Sequence, residues 1–218
     1  MEQRRTRTGG RGKPKDPDGN KAAILAAAVA EFADRGLRGG RVNAIAQASG
    51  CDKQLLYYYF KSKERLYIAA LEHVYAQARQ SQARLVIDDT DPLGSLHRII
   101  LTTFDLVVEH PDISRLITNE NIEKGQYLRQ SSVARNINQP VLENLSKVLQ
   151  IGASQGKFRP DVDALELHQV TSALTNHYIT NAYTLGYLFD IDFESAKTCE
   201  KYRETIRRVV SGFVAPTD

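Results

Sequence analysis

Apolar side chains recur along this chain at spacings of three and four residues, and no segment alternates with a period of two. That rhythm belongs to helices that bury one stripe, so the chain is read as all-α. From Lys21 onward, Ile24, Leu25, Ala28, Val29 and Phe32 form such a stripe, and Gly36 closes it. Short helices are expected near 42–49 and 53–60 with Gly50 between them, and a long one over about 62–86. Further helices are expected near 93–109, 112–123, 130–154, 162–187 and 193–213. Pro92 and Pro111 suit helix starts. Gly156, Pro160 and the turn from Asp190 to Asp192 mark breaks.

Charge divides the chain more sharply than its net of +3 suggests. Residues 1–86 carry a net of +8 and residues 87–218 a net of −5. A basic half joined to an acidic half suggests that the first meets a polyanion. Residues 1–19 are rich in Arg, Lys, Gly and Pro and hold too little apolar surface to offset chain entropy, so a disordered basic arm is expected there. Such an arm either lies in a DNA minor groove or is a solvated tail. Cys51 and Cys199 give neither metal-ligand spacing nor a disulfide framework, which fits a reducing cytoplasm. No secretory signal is visible. Residues 170–189 are long enough to span a bilayer, but Thr171, Ser172, Asn176, His177 and Asn181 among them speak against a lipid-facing helix.

The segment 42–61 has the parts of a helix-turn-helix. Ala46 is small enough for two helices to cross, and Gly50, four residues later, tolerates positive φ at the turn. Ile45, Cys51 and Leu56 have the spacing to lock the helices together, and Asp52 can cap the second one. That second helix would present Lys53, Gln54 and Tyr57 at its N-terminal side. Lys53 suits guanine or a phosphate, and Gln54 suits a base edge. The hydroxyls of Tyr58 and Tyr59 can donate to phosphate, although at least one of the three tyrosines is expected to pack with Phe60. Lys63 falls in the first turn of the next helix, where backbone N–H groups favour an anion. Arg41 and Asn43 are further phosphate or base candidates.

The run from Leu55 through Tyr57, Tyr58, Tyr59, Phe60, Lys61 and Ser62 to Leu66 resembles the signature of TetR-family repressors. So do Phe32, Gly36, Val42, Ile45, Ala46 and Gly50 upstream. The resemblance covers about residues 20–68. It implies a three-helix DNA-binding domain over 20–66 and an α-helical bundle for ligand binding and dimerisation over 67–218. It also implies double-stranded DNA with a two-fold operator as a partner, a small organic effector and repression relieved by that effector. Cys51, Asp52 and Gln54 depart from the family pattern of valine, serine and a small residue, so the operator sequence does not carry over.

The C-terminal part is read mainly through residues 170–189, which lack any Asp, Glu, Lys or Arg. A helix without a charged face should be covered on most sides, by its own core or by a second subunit. The final helix is expected to carry Tyr202, Ile206, Val209, Val210 and Phe213 on one face. A homodimer through these last two long helices is what the resemblance implies. Phe104, His110, Asn119, Asn121, His168, Asn176, His177, Tyr178 and Asn181 are the candidates for an effector pocket. The segment from His110 to Asn121, with the block from Gly156 to Arg159, is similar to the branch of the family that includes the pyrimidine-utilisation repressor. Arg159 is expected to pair with Asp161 or Glu166.

No enzymatic motif of the metalloprotease, P-loop, nucleophile-elbow or dinucleotide type is present. The histidines at 73, 97, 110, 168 and 177 form no i, i+3 or i, i+4 pair, so no metal, cofactor or catalytic residue is expected. His168 and His177 should point to opposite sides of one helix. The alternative reading is a helical protein-binding adaptor without DNA recognition.

Overall fold

Capping groups set the limits of the N-terminal helices. In the computed structural model, which describes residues 16–83 and 85–216, ten α-helices follow one another, with no strand among the described residues. Helix α1 (Pro17–Gly39) starts where the Asp16 carboxylate accepts the Gly19 N–H at 3.0 Å. It therefore begins inside the segment expected to be a disordered arm, whose residues 1–15 lie outside the described ones. Gly36, at φ 62°, kinks α1 near its end, which places Leu37 back in the core. Ile24, Ala28, Val29 and Phe32 form the buried stripe that the spacing predicts.

Helices α2 (Val42–Ser49) and α3 (Lys53–Phe60) are joined by Gly50 in the left-handed region at φ 67°. Helix α4 (Lys63–Ala83) opens where Ser62 Oγ accepts the Arg65 N–H at 3.1 Å. It runs without a break through the expected domain boundary at 66–67, and residues 85–86, which the spacing places in the same helix, lie outside it.

Behind these lie α5 (Pro92–Glu109), α6 (Pro111–Ile122), α7 (Ala134–Ser154), α8 (Ala164–Thr180), α9 (Ala182–Phe189) and α10 (Ala196–Val214). Pro92 and Pro111 each open a helix, where their missing N–H has no role. A short 3₁₀ turn at Leu128–Gln130 precedes α7, so the helix expected from 130 begins later. Helix α4 packs against α1 on one side and against α5 and α7 on the other, and α5 also meets α8 and α10. Helix α6 lies on α1 as well as on α8, so the two parts of the chain touch through α6 and through α4. The helix expected over 162–187 is two. Asn181 ends α8 by turning its amide back to the His177 carbonyl at 3.3 Å and to Thr180 Oγ1 at 3.1 Å.

Candidate nucleic-acid interface and effector cavity

The inner face of α3 is fixed by Leu56 and Phe60, four residues apart and both buried in the same core cluster as Ile45 of α2. The Asp52 carboxylate accepts the Leu55 N–H at 2.6 Å and holds the first turn. The turn before it is tied by the Gly50 and Cys51 N–H groups to the Ala46 carbonyl. With that face inward, Lys53, Gln54, Tyr57 and Tyr58 are left on the outside. The Lys53 ammonium lies 5.9 Å from the Tyr57 ring centre, and the Lys61 ammonium 5.4 Å from that of Tyr58.

Arg41, Asn43, Lys53, Tyr57 and Lys63 converge on one open groove between the start of α2, α3 and the start of α4. Gln47 lines it too, a residue the sequence reading missed. It lies on α2 one turn beyond Asn43, which was the available signal. The Arg41 side chain is exposed, although its Nε comes within 3.8 Å of Glu31. Lys63 donates to the Arg38 carbonyl at 3.3 Å and stays at the rim. Tyr59 corrects the expectation. Its hydroxyl is buried with no hydrogen-bond partner among the described residues and its ring packs against the core, so it faces inward rather than toward a phosphate.

A cavity of about 220 Å³ sits among α4, α5, α6, α7 and α8. Val74, Ala78, Ile99, Ile100, Val107 and Leu145 supply much of its apolar wall. Its polar side is Tyr75, Arg79 and Gln82 on α4, Thr103 on α5, Ser114 on α6, and His168, Ser172 and Asn176 on α8. Arg79 Nη1 donates to Gln82 Oε1 at 2.6 Å, and Gln82 Nε2 donates to Thr103 Oγ1 at 2.7 Å. Ser114 donates to Asn176 Oδ1 at 3.0 Å. His168 is half-buried, and its pKa is lowered by that burial and then by the Arg79 charge.

Residues 24–70 match the family described as bacterial regulatory proteins, tetR family, and residues 92–210 match the tetracyclin repressor-like C-terminal domain. The chain belongs to the TetR family. The HTH-type transcriptional repressor NicS of Pseudomonas putida is 31% identical over 175 residues, 80% of this chain and 82% of NicS. The HTH-type transcriptional regulator RutR of Escherichia coli K12 is 30% identical over 158 residues, 72% of this chain and 73% of RutR. A TetR-family regulator from Marinobacter aquaeolei VT8 superposes with a TM-score of 0.71 at 22% identity, over 92% of this chain and 97% of that one. TetR-family regulators bind operator DNA and small-molecule effectors, typically as dimers, and they are not enzymes. Among the described residues no helix is long and apolar enough to cross a membrane.

Only two of the nine residues expected at the effector pocket of this TetR-family chain line the cavity, namely His168 and Asn176. Phe104 is fully buried in an aromatic cluster, 5.2 Å from Tyr178 and 5.7 Å from Tyr202 between ring centres. Tyr178 spends its hydroxyl on the Phe193 carbonyl at 2.7 Å. Asn119 donates to the Phe32 and Ala33 carbonyls, both at 3.0 Å, in α1. His110 is exposed at the α5–α6 corner, and Asn121 is exposed and bonds back to the Ile117 carbonyl at 2.9 Å. His177 is exposed, opposite His168 as the nine-residue spacing predicts, and it lies 3.1 Å from the Asn181 amide. These seven are structural or surface residues with respect to the cavity. Arg159 pairs with Asp161 at 3.7 Å.

The outer faces of the last helices carry large apolar side chains. Tyr183, Tyr187, Leu188 and Phe189 of α9 are exposed, with Tyr187 89% accessible, and Leu165 of α8 and Val209 of α10 lie open as well. Val209 thus leaves the single apolar face expected for the final helix, because Ile206, Val210 and Val214 are the residues that turn inward.

Proposed function

We propose that this TetR-family chain acts in the cytoplasm as a homodimeric repressor of a two-fold operator and releases it when a small organic molecule fills the 220 Å³ cavity. The observation that carries the DNA half is the convergence of Arg41, Asn43, Lys53, Tyr57 and Lys63 on one open groove beside the exposed face of α3. Lys53 and Lys63 contact phosphates, Gln54 and Asn43 reach base edges, and Tyr57 and Tyr58 add hydroxyl donors at the backbone. The unit over 20–66 provides the groove, and the unit over 67–218 provides the cavity and the dimer.

One copy of α3 covers few base pairs, so two must be held about 34–36 Å apart, or a multiple of it, on the duplex. The exposed apolar faces of α8, α9 and α10 are the surface that a second copy covers. Helix α4 joins the cavity to the groove, because it carries Lys63 at one end and Tyr75, Arg79 and Gln82 near the other. An effector that binds better to the state with misplaced recognition helices lowers DNA affinity through this helix.

Selection of bound duplexes from a random pool tests the reading. The expected result is an inverted repeat bound by a dimer, with affinity that drops steeply as salt rises. Recovery of no enriched duplex, or binding indifferent to salt, overturns it.

A further inference from the structure

Arg79 lies on the cavity wall. Among the described residues no acidic side chain balances its charge, only its Nη1 is engaged, by Gln82, and its buried Nε has no hydrogen-bond partner. Among the described residues no carboxylate comes within ion-pair distance of Arg79, and no Asp or Glu lines the cavity. Glu72 accepts the Ser131 hydroxyl at 2.6 Å. Glu120 accepts the Tyr127 and Leu128 N–H groups through Oε1 at 2.9 and 2.8 Å, its Oε2 is buried without a hydrogen-bond partner among the described residues, and neither acid lines the cavity.

A partly buried guanidinium whose Nε has no partner is less favourable than one joined by an anion. A carboxylate forms charge-assisted hydrogen bonds with a guanidinium, and Nη2 is the nitrogen left for it, because Nη1 is engaged by Gln82 and Nε is closed off from solvent. His168 adds no second charge, because its burial and Arg79 itself lower its pKa and leave the ring neutral at neutral pH. The balance is therefore one positive charge against one negative charge, which favours a monocarboxylate over a phosphate dianion. The rest of the wall is largely aliphatic, from Val74, Ile99, Ile100 and Leu145. An apolar cavity of about 150 Å³ holds one benzene ring. The 220 Å³ here leaves room for one ring or a short branched chain in addition to the carboxylate.

We propose that the effector is a small organic monocarboxylate, held by Arg79 through its carboxylate and by the aliphatic wall through its body. This deepens the regulator reading and rests on it for the consequence of binding, though not for binding itself.

The test uses the full-length protein without DNA and reads the melting temperature. Probes are benzoate, cyclohexanecarboxylate and hexanoate, against uncharged benzamide and against inorganic phosphate. At least one carboxylate should raise the Tm by several degrees, while benzamide and phosphate leave it unchanged. Arg79→Met, and Arg79→Gln as a variant that keeps an amide beside Gln82, should lose that shift. In the ligand-free protein both variants should melt at or above the wild-type temperature, because they remove an unbalanced charge. The proposal is overturned if no carboxylate acts, if benzamide or phosphate acts equally, if the shift survives in Arg79→Gln, or if both variants melt lower than wild type. Binding to DNA is measured separately. A protein that takes a carboxylate but ignores DNA leaves the site standing and removes the regulator reading, and the reverse result does the opposite.

Discussion

Asn119 of α6 donates its side-chain amide to the backbone carbonyl of Phe32 in α1 at 3.0 Å, and the same nitrogen lies 3.0 Å from the carbonyl of Ala33. These carbonyls lie just before the kink at Gly36, where a helix runs out of internal donors. Asn119 thus ties the helix that supports the recognition unit to a helix that borders the cavity. Asn119→Ala removes the donor and is expected to cost about 1–2 kcal/mol of stability. Chemical denaturation with an unchanged m-value checks it, and a loss below about 0.3 kcal/mol would show that water replaces the amide without penalty. In the same variant, carboxylate-driven release from DNA should weaken more than DNA binding itself.

Lys63 and Gln54 are expected to fail differently. Lys63 sits at the groove rim in the first turn of α4, so Lys63→Ala should weaken all duplexes alike and reduce the salt slope by about 1. Gln54 is exposed on α3 with no hydrogen bond from its side chain among the described residues, free for a base edge. Gln54→Ala should cost about 1–3 kcal/mol on the best duplex and far less on duplexes altered at the contacted pair. Binding isotherms over a set of single-base variants separate the two. Equal loss across that set for Gln54→Ala removes it from readout.

The recognition unit was legible because its determinants are local. Gly50, Asp52, Leu56 and Phe60 act within one or two turns of each other, and the resulting caps and buried face appear as the spacing requires. Tyr59 was harder, because neighbouring aromatic residues look alike until the opposing α1 is in place. The cavity was largely illegible for the same reason on a larger scale. Tyr75, Arg79 and Gln82 follow one another at spacings of four and three on α4, as a solvated polar edge also would, and only the approach of α5 and α8 turns that edge inward. Uncharged polar residues at 176, 177 and 181 drew attention instead, and two of them cap or decorate the end of α8.

Gly152 of α7 is expected to resist substitution on steric grounds. A methyl at that position would overlap the ring of Phe158, which is buried beyond the end of the helix. The Gly152 carbonyl also accepts the Lys157 and Phe158 N–H groups at 2.9 and 3.2 Å, so the ring cannot easily swing away. Gly152→Ala should destabilise by about 1–3 kcal/mol. Pairing it with Phe158→Leu should recover part of that loss in a double-mutant cycle. Additive losses would place the strain elsewhere.

Acid should weaken the fold through its histidines. Burial lowers the pKa of His73, of His97 and, together with the Arg79 charge, of His168. A histidine of lowered folded pKa takes up its proton more readily when unfolded. Between that lowered value and about 6.5 the unfolded chain therefore binds more protons, and stability rises with pH. The stabilising contribution is complete above about pH 6.5 and is lost as pH falls through the window. Denaturation midpoints at pH 7.5 and 5.5 should show this decline, and His168→Gln should make it shallower. A variant that keeps the full wild-type slope would assign the acid sensitivity to other groups.

The assembly is best tested where an apolar side chain has no intramolecular role. Tyr187 is 89% accessible, and its neighbours Leu188 and Phe189 are each 66% accessible, so burying them requires another surface. A second copy can supply it, because a two-fold contact sets the same patch against itself or against the outer faces of α8 and α10. Charges placed there should be tolerated by the fold and not by the dimer. Tyr187→Glu with Phe189→Glu is expected to leave the melting temperature of the isolated subunit little changed and to shift the mass in solution from two copies to one. Affinity for a two-fold operator should fall by at least 10²-fold, since the coupling of the two half-sites is lost. Light scattering and half-site against full-site titrations provide the readouts. A double variant that remains dimeric would move the interface away from α9 and onto α8 and α10 alone.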